Sequence, residues 1–280
     1  MLITLTTDFG TQDGYVAAMK GVLSSLAPGV PLVDITHAIP PQDVRSAAYV
    51  LWTAVPYFPA ESVHLVVVDP GVGTARHPIA VRTLWGTLVG PDNGVFSYLW
   101  AVAPSDLVVI VEESKYRLPV VSSTFHGRDI FAPAAAYVAG SAGSPGVPLE
   151  ALGPPLEAPV CLPLPRLTLE PGRIQGEILY VDRFGNAITS IGRLHWQGEQ
   201  LHLEAAFPPA QHAPIPATRA RVVLKGRDLG PVRHTYAESA PGAALALVGS
   251  EGMLELAVNQ GHGATALGVA VGDVVDLVFG

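Results

Sequence analysis

Charged side chains are scarce in this chain of 280 residues: they make up 14% of it, whereas 49% of the residues are hydrophobic. The formal net charge is −8, and the one mildly basic stretch, Arg219 to Arg233, is interrupted by Asp228. The low charge content excludes an intrinsically disordered chain, and the negative balance argues against a nucleic-acid partner. The length and the hydrophobic content are sufficient for a sizeable core in one large domain or two.

Cysteine occurs once, at Cys161, so the chain has no intramolecular disulfide and no paired cysteines for a zinc site. We interpret Cys161 as an inert, semi-buried thiol in a protein of a reducing compartment. The N-terminus shows no signal-peptide pattern, and the longest uncharged stretch, Ile130 to Leu149, is interrupted by three prolines. These absences predict no membrane span and a cytoplasmic location.

Several common functional motifs are also missing. The sequence has neither a G-x-G-x-x-G nor a G-K-[ST] phosphate loop, and no G-x-S-x-G motif of a serine hydrolase. Its nine histidines show no H-x-x-x-H pair on a helix and have no cysteine pair to complete a zinc site. We therefore expect no dinucleotide loop, no metal ion and no serine nucleophile.

Residues 1–143 are predicted to form an α/β domain with a largely parallel sheet covered by helices, because apolar strand-like runs alternate there with helical patterns. Asp13 stands where a helix N-cap belongs, and Gly29 follows the end of the same helical pattern. The predicted strands are Leu2–Thr7, Leu32–Thr36, Val63–Asp69 and Leu107–Val111, and the predicted helices are Tyr15–Leu26, Val44–Val55 and one beginning near Asp129.

A proline-rich segment at residues 144–171 is predicted to be a linker, since its prolines prevent any regular element from propagating. Residues 172–280 are then predicted to form a smaller all-β, barrel-like domain of short strands separated by Gly, Pro and Asn. The predicted strands are Ile174–Val181, Arg221–Leu224, Ala244–Val248, Met253–Ala257 and Val274–Phe279.

Polar residues that follow predicted strands are the first functional candidates, because open α/β sheets bind ligands beyond the carboxyl ends of their strands. Asp8 can accept two hydrogen bonds from a ribose diol, or it can stabilise a turn or cap a helix. Asp69 and Arg76 can face each other across a glycine-rich loop at a site, or form a surface ion pair. His126 has a side chain suited to acid–base chemistry near neutral pH, or a purely structural role.

A series of motifs in this order resembles the S-adenosylmethionine hydroxide adenosyltransferase family and its halogenase relatives, fluorinase and chlorinase. The resemblance spans the whole chain. In the first domain the motifs are Thr7-Asp-Phe-Gly10, Tyr15-Val-Ala-Ala-Met-Lys-Gly21, Asp34-Ile-Thr-His-Ala-Ile-Pro40, Asp69-Pro-Gly-Val-Gly-Thr74, Gly90-Pro-Asp-Asn-Gly94 and His126-Gly-Arg-Asp-Ile-Phe131. In the second domain they are Asp182-Arg-Phe-Gly-Asn186 and Gly249-Ser-Glu-Gly252.

The resemblance implies a role for each matching position in the first domain. Asp8 would accept the ribose diol, and Asp69, Arg76 and His126 would position and activate a water molecule. In that scheme His126, held by Asp69, is the preferred base and Arg76 stabilises hydroxide character, with the reverse division of roles left open.

In the second domain the resemblance implies contacts with the rest of the substrate. Asp182 and Ser250 would bind the methionine amino-acid end, Asn186 the nucleoside and methionine region, and Tyr236 would stack on adenine. Glu251, also placed in the substrate site, stands where the fluorinases carry Arg. Taken alone, these segments also fit an ordinary β-turn at Asp182–Asn186 and a hairpin at Ser250–Gly252.

The reaction implied is hydrolysis of S-adenosylmethionine to adenosine and L-methionine, with water attacking the ribose C5′ and no cofactor or metal. The family resemblance further implies a homotrimer, with each site between the first domain of one subunit and the β-domain of its neighbour. The alternatives are a halogenase that forms a 5′-halo-adenosine and a non-catalytic nucleoside-binding protein. Against the halogenase, Asp69, Val72 and Gln42 stand where fluorinases carry Tyr, Thr and Trp, and a carboxylate repels a halide.

Overall fold

The computed structural model describes residues 1–279 and divides into two compact units, Met1–Pro163 and the chain from Leu164 onward. The first unit contains six strands and four α-helices. In chain order they are β1 (Ile3–Thr7), α1 (Tyr15–Leu26), β2 (Leu32–Thr36), α2 (Val44–Ala54), β3 (Val63–Val67), β4 (Pro78–Thr83), β5 (Gly86–Pro91), α3 (Ser97–Val102), β6 (Leu107–Ile110) and α4 (Ala132–Ala139). A turn of π-helix, Gly127–Phe131, leads directly into α4.

The sheet of the first unit has the strand order β2-β1-β3-β5-β4-β6. Strands β2, β1, β3 and β5 pair in parallel, and β4 pairs antiparallel with both β5 and β6. The prediction of a largely parallel sheet covered by helices is therefore confirmed. The antiparallel edge arises because only Leu84 and Trp85 separate β4 from β5, and a two-residue connection permits a hairpin but no parallel crossover.

Strands β1 and β3 lie at the centre of the sheet and are buried along their whole length. Helices α1 and α4 pack on one face through residues such as Met19, Leu23 and Ala135. The predicted Asp13 cap is wrong: α1 begins at Tyr15 with Gly14 at its N-cap and no side-chain hydrogen bond there. Asp13 precedes the N-cap by one residue, which places its carboxylate outside the capping position.

Up to residue 279, the second unit contains eleven strands and one short α-helix. They are β7 (Leu167–Glu170), β8 (Arg173–Val181), β9 (Ala187–Thr189), β10 (Leu194–Gln197), β11 (Gln200–Glu204), β12 (His212–Pro216), β13 (Arg221–Leu224), β14 (Arg227–Arg233), β15 (Ala244–Val248), β16 (Leu254–Val258), α5 (Gly263–Leu267) and β17 (Val274–Val278). Strands β17, β13, β14, β15, β16, β9 and β8 pair in sequence, and β8 pairs with β17 to close a seven-stranded barrel. The predicted all-β, barrel-like domain is confirmed, and closure removes the unpaired edges that an open sheet would leave.

Part of the proline-rich segment packs on the first unit. Leu149 and Leu152 are buried in its core, and the Ile110 N–H donates to the Pro154 carbonyl at 2.8 Å. Cys161 is exposed, so its interpretation as a semi-buried thiol is wrong. In residues 1–279, no helix is both long and apolar enough to cross a membrane.

Candidate active site

The carboxyl ends of β1 and β3 bring two predicted site residues together. The strands are parallel neighbours in which Thr7 pairs with Val67, so Asp8 and Asp69 leave the sheet at the same edge. They line a cavity of about 290 Å³ together with His126, whose loop precedes α4. Gln42 and Val72 line the same cavity. The geometry is the one that strand register dictates in an open α/β sheet.

Arg76 joins Asp69 to His126. Its Nε donates to Asp69 Oδ1 at 2.9 Å, its Nη2 donates to Asp69 Oδ2, and Nη2 also lies 2.8 Å from His126 Nδ1. The side chains of Arg76 and Asp69 are only 9% and 5% exposed. Burial excludes the alternative of a surface ion pair, and a two-point contact fixes the guanidinium plane.

The contact with Arg76 also decides where His126 carries its proton. A guanidinium is always protonated, so it donates, and His126 Nδ1 must accept. Burial lowers the pKa of His126, the charges of Arg76 and Arg117 lower it further, and Asp69 opposes them. His126 is therefore neutral with its proton on Nε2. The sequence predicted that Asp69 holds His126 directly. In the structure Arg76 contacts both side chains and connects them.

The backbone of Gln42, which lines the same cavity, holds the Asp8 carboxylate. The Gln42 N–H donates to Asp8 Oδ2 at 2.7 Å, and Gln42 has a φ of 68°, in the left-handed region that disfavours side chains. Asp8 does not cap α1, which begins seven residues later. The Gln42 contact is to Oδ2 of the carboxylate, and Asp8 lines the cavity beside it.

The second unit assembles three further predicted residues around one turn. Asp182 accepts from the backbone N–H groups of Phe184 and Asn186, at 2.9 and 2.8 Å. The Asn186 side chain donates to Asp182 Oδ2 at 2.9 Å and lies 3.1 Å from Tyr236 Oη. Asn186 and Tyr236 line a cavity of about 480 Å³ together with Phe184. The β-turn expected at Asp182–Asn186 is present, and it carries the polar cluster.

The other two predicted residues, Ser250 and Glu251, lie in the turn between β15 and β16. Ser250 is exposed and Glu251 is half-buried. Within the described chain, neither makes a hydrogen bond to the Asp182, Asn186 and Tyr236 cluster.

Glu255, on β16, is a member of this region that sequence reasoning missed. Burial and the charge of Asp182 raise its pKa to about 7, the charge of Glu251 adds to this, and a hydrogen bond from the Tyr236 hydroxyl opposes it. Its carboxyl group occupies the space that a Cβ on Gly249 would need. The available signal was a lone carboxylate inside the apolar run Met253–Ala257, which the strand pattern places half-buried.

The titratable groups at these sites show no arrangement typical of a metal centre. In the described residues, no group of three or more His, Cys, Asp or Glu side chains is placed to hold a metal ion.

Comparisons with known proteins cover nearly the whole chain. Residues 3–147 match the model of the SAM hydroxide adenosyltransferase N-terminal domain, and residues 176–276 match that of the C-terminal domain. The chain is 44% identical to an (R)-S-adenosyl-L-methionine hydrolase of Thermus thermophilus, over 97% of each chain. It is 42% identical to an (R)-S-adenosyl-L-methionine hydrolase of Salinispora tropica, over 99% of this chain and 98% of that one.

More distant and structural relatives agree with this assignment. A fluorinase of an Actinoplanes species is 29% identical over 92% of this chain and 91% of that one. A crystal structure of an uncharacterized conserved protein from Thermotoga maritima superposes with a TM-score of 0.83 at 31% identity, covering 99% of this chain and 100% of that chain. Because both domain models and full-length relatives match in order, the chain belongs to the SAM hydroxide adenosyltransferase family.

Proposed function

We propose that this protein hydrolyses S-adenosylmethionine to adenosine and L-methionine. The observation that carries the proposal is the buried contact of Asp69 and His126 with Arg76, in the cavity that Asp8 also lines. The relatives named (R)-S-adenosyl-L-methionine hydrolase support this substrate, and they favour the R configuration at the sulfonium.

The proposed chemical step is an in-line displacement at the ribose C5′. A water oxygen forms the new bond to C5′ while the C5′–S bond breaks and its electron pair goes to sulfur. Methionine leaves as a neutral thioether, so the leaving group needs no proton and the step needs no cofactor. The remaining work is to align the water and to remove its proton.

The contacts of Arg76 support a division of this work. His126, neutral with Nδ1 occupied by Arg76, has an Nε2–H to donate and no free lone pair for a proton. Asp69 keeps a lone pair on each oxygen after accepting from Arg76. We propose that Asp69 takes the proton of water and that His126 orients the water oxygen. Arg76 fixes the positions of Asp69 and His126 relative to each other.

Substitution of the two residues separates this division from the one in which His126 is the base. Asp69→Asn should lower kcat by about 10²- to 10⁴-fold, the usual contribution of a general base. His126→Gln should have a smaller effect, because orientation is lost but the base is retained. Affinity for adenosine, measured by calorimetry, should change little in both variants. A larger loss of kcat in His126→Gln than in Asp69→Asn would assign the base to His126.

The remaining substrate contacts follow the positions of the other polar groups. We propose that Asp8 accepts the ribose hydroxyls, that Asn186 and Tyr236 bind the nucleoside, and that Asp182, Ser250 and Glu251 bind toward the methionine end. The cavity beside Tyr236 is apolar enough in its lining, through Phe184 and Val258, to hold an aromatic base.

A halide is a poor nucleophile for this cavity. Asp69, Val72 and Gln42 all line it. Two like unit charges 4 Å apart at an effective dielectric of about 20 repel each other by about 4 kcal/mol, a penalty that a neutral water does not meet. Halogenation of the fluorinase or chlorinase type remains the second candidate function, because fluorinases are among the relatives. The repulsion between Asp69 and a halide ranks it below hydrolysis.

Isotope labelling tests the reaction directly. Turnover in oxygen-18 water should place one heavy oxygen on C5′ of adenosine and none on methionine. Label elsewhere would end the C5′ proposal. Addition of fluoride or chloride should yield no 5′-halo-adenosine, and its formation at a comparable rate would assign the protein to the halogenases. Unchanged substrate would favour the non-catalytic nucleoside-binding alternative.

We further propose that the protein acts as a homotrimer in the cytoplasm, with each site shared between neighbouring subunits. A mixture of Asp182→Ala and Asp69→Ala chains should then regain activity, because each supplies the half that the other lacks. Full activity of a monomer in sedimentation, or no rescue after confirmed subunit exchange, would contradict a shared site.

A further inference from the structure

His37 lies directly after β2 and contacts the chain on both sides of Asp8. Its side chain is buried, and its Nδ1 lies 2.9 Å from the Thr7 hydroxyl. Its carbonyl oxygen accepts from the Gly10 N–H at 2.7 Å. Thr7 in turn accepts from the Phe9 N–H at 3.3 Å. The residues before and after Asp8 are therefore tied to one histidine.

The other edge of the His37 ring continues this network toward the surface. His37 Nε2 lies 3.0 Å from Asp34 Oδ1, and Lys20 Nζ donates to Asp34 Oδ2 at 2.6 Å. Burial raises the pKa of Asp34, but its hydrogen bonds to Lys20 and His37 outweigh burial and lower the pKa overall. Asp34 thus places a carboxylate beside Nε2, while Nδ1 faces the Thr7 hydroxyl.

A second buried histidine shows which part of this arrangement is specific. His64 on β3 lies 2.8 Å from the Thr4 hydroxyl through its Nδ1, on the same central strand β1. Its Nε2 lies 3.2 Å from the Trp85 carbonyl oxygen, beside a turn that carries no proposed site residue. Both Thr–His contacts satisfy buried polar groups. Only that of His37 joins the loop of Asp8.

We infer that His37 is a positioning residue that sets the orientation of Asp8, through Thr7 and Gly10, and with it the preference for a ribose that has both hydroxyls. The inference rests on the proposed function, because it takes Asp8 as the ribose acceptor. His37 itself needs no contact with the substrate. A carboxylate binds two hydroxyls only when its plane matches theirs, and the residues on either side of it set that plane.

Two substitutions at position 37 separate the two edges of the ring. His37→Asn retains a polar atom near the position of Nδ1, and so the contact with Thr7. His37→Gln retains one near Nε2, and so the contact with Asp34. The readout is the ratio of dissociation constants for adenosine and for 2′-deoxy- and 3′-deoxyadenosine, measured by calorimetry on the full chain. Binding of these nucleosides does not depend on turnover.

The expected results differ between the variants. The unaltered protein should prefer adenosine by about 10- to 100-fold for each hydroxyl, the usual effect of a hydrogen bond to a charged group. His37→Gln should reduce this preference by about tenfold, and His37→Asn should largely retain it. Thr7→Val, which removes the hydroxyl but keeps the side-chain shape, should behave like His37→Gln and replaces it if that variant does not fold.

His64→Gln is the matched control, because it breaks the same kind of buried contact on the same strand. It should lower thermal stability and leave the nucleoside preference unchanged. An equal loss of preference in His64→Gln and His37→Gln would overturn the inference, as would an unaltered protein that binds adenosine and the deoxynucleosides equally. Retention of the preference in both His37→Gln and Thr7→Val would also overturn it. A protein that binds adenosine with this preference and loses it in His37→Gln, but does not cleave S-adenosylmethionine, would contradict the proposed function and still support the inference.

Discussion

The two units hold their buried carboxyl groups in opposite electrostatic settings. In the first unit, Asp69 is paired at two points with Arg76, and the guanidinium reaches His126 as well. In the second unit, Asp182 accepts from neutral amides, and Glu255 lies near Asp182 and Glu251. One site therefore has a compensated charge and the other has crowded acidic groups.

The difference shows what each site is able to do. A buried carboxylate held at two points by a guanidinium has its charge compensated and its oxygens fixed in place, which suits a group that takes a proton from an oriented water. A carboxyl group whose pKa is raised to about 7, as that of Glu255 is, changes charge near neutral pH. The first site pairs its carboxylate with a cation, whereas the second contains a carboxyl group whose charge changes near neutral pH.

Removal of the cation from the first unit should have the largest effect. Arg76→Met leaves Asp69 buried without a partner, so we expect a loss of about 3–5 kcal/mol in the free energy of unfolding. We also expect kcat to fall by about 10²-fold or more, since the proposed base and the orienting histidine lose their common support. Urea denaturation and steady-state kinetics measure the two effects.

The double variant Arg76→Met with Asp69→Leu is the control for that loss of stability. Because it removes both charges, it should recover much of the stability without recovering activity. If Arg76→Met is as stable as the unaltered protein, the pair does not compensate a buried charge and the contrast between the units fails.

Asp8→Ala should have the next largest effect, and mainly on binding. Each hydrogen bond from a ribose hydroxyl to a carboxylate contributes about 1.5–3 kcal/mol, and it is present in the ground state and the transition state alike. KM should therefore rise by about tenfold or more, while kcat falls less. Initial rates over a range of substrate concentrations separate the two constants. A collapse of kcat with an unchanged KM would move Asp8 into the chemical step.

Glu255→Gln should produce a smaller effect that depends on pH. The raised pKa means that the folded protein holds this proton more tightly than the unfolded chain, so the stability contributed by Glu255 falls as the pH rises from about 4.5 to about 7. At pH 8 the variant should be more stable than the unaltered protein by about 1 kcal/mol, after allowance for solvent screening. The difference should vanish below pH 4.5, the ordinary pKa of the group.

Thermal melts of both proteins at pH 4 and pH 8 test this prediction. Glu199→Gln, in the exposed turn between β10 and β11, controls for the change in net charge. If the difference in melting temperature between Glu255→Gln and the unaltered protein is the same at both pH values, the pKa of Glu255 is not raised in the folded protein.

The smallest effect is expected for an exposed ion pair of the second unit. Arg221 Nε donates to Asp228 at 2.6 Å, but both side chains are about half exposed, at 52% and 46%. Solvent screens such a pair, so Arg221→Met should leave the melting temperature within experimental error. A clear loss of stability would show that the second unit also depends on a compensated charge.

Much of the fold was readable from the sequence because the apolar pattern is strong where elements are buried. The bounds of Tyr15–Leu26, Leu32–Thr36, Arg221–Leu224 and Ala244–Val248 agree with the prediction. Strands such as His212–Pro216 carry prolines and little apolar periodicity. Their conformation comes from pairing with neighbouring strands, which no local pattern records.

The candidate residues were predictable for a different reason. Asp8 and Asp69 each follow a buried strand, and parallel pairing brings such positions to one edge of a sheet. Glu255 was missed because its raised pKa comes from burial in the folded chain and from Asp182, 73 positions away in the sequence. His37 belongs to one of the family motifs, but the sequence did not reveal its role, because its contact with Thr7 joins residues 30 positions apart.

The sequence by itself determined the two-part architecture, the residue types available at the strand ends and the family resemblance, because these depend on local pattern and order. Only the tertiary structure decided that Arg76 stands between Asp69 and His126, and so that Nδ1 of His126 accepts a hydrogen bond. That arrangement joins Asp69 and His126, 57 positions apart in the sequence, through a buried guanidinium. Protonation states depend on such neighbours and on the exclusion of water, and both are set by the folded structure rather than by the local sequence.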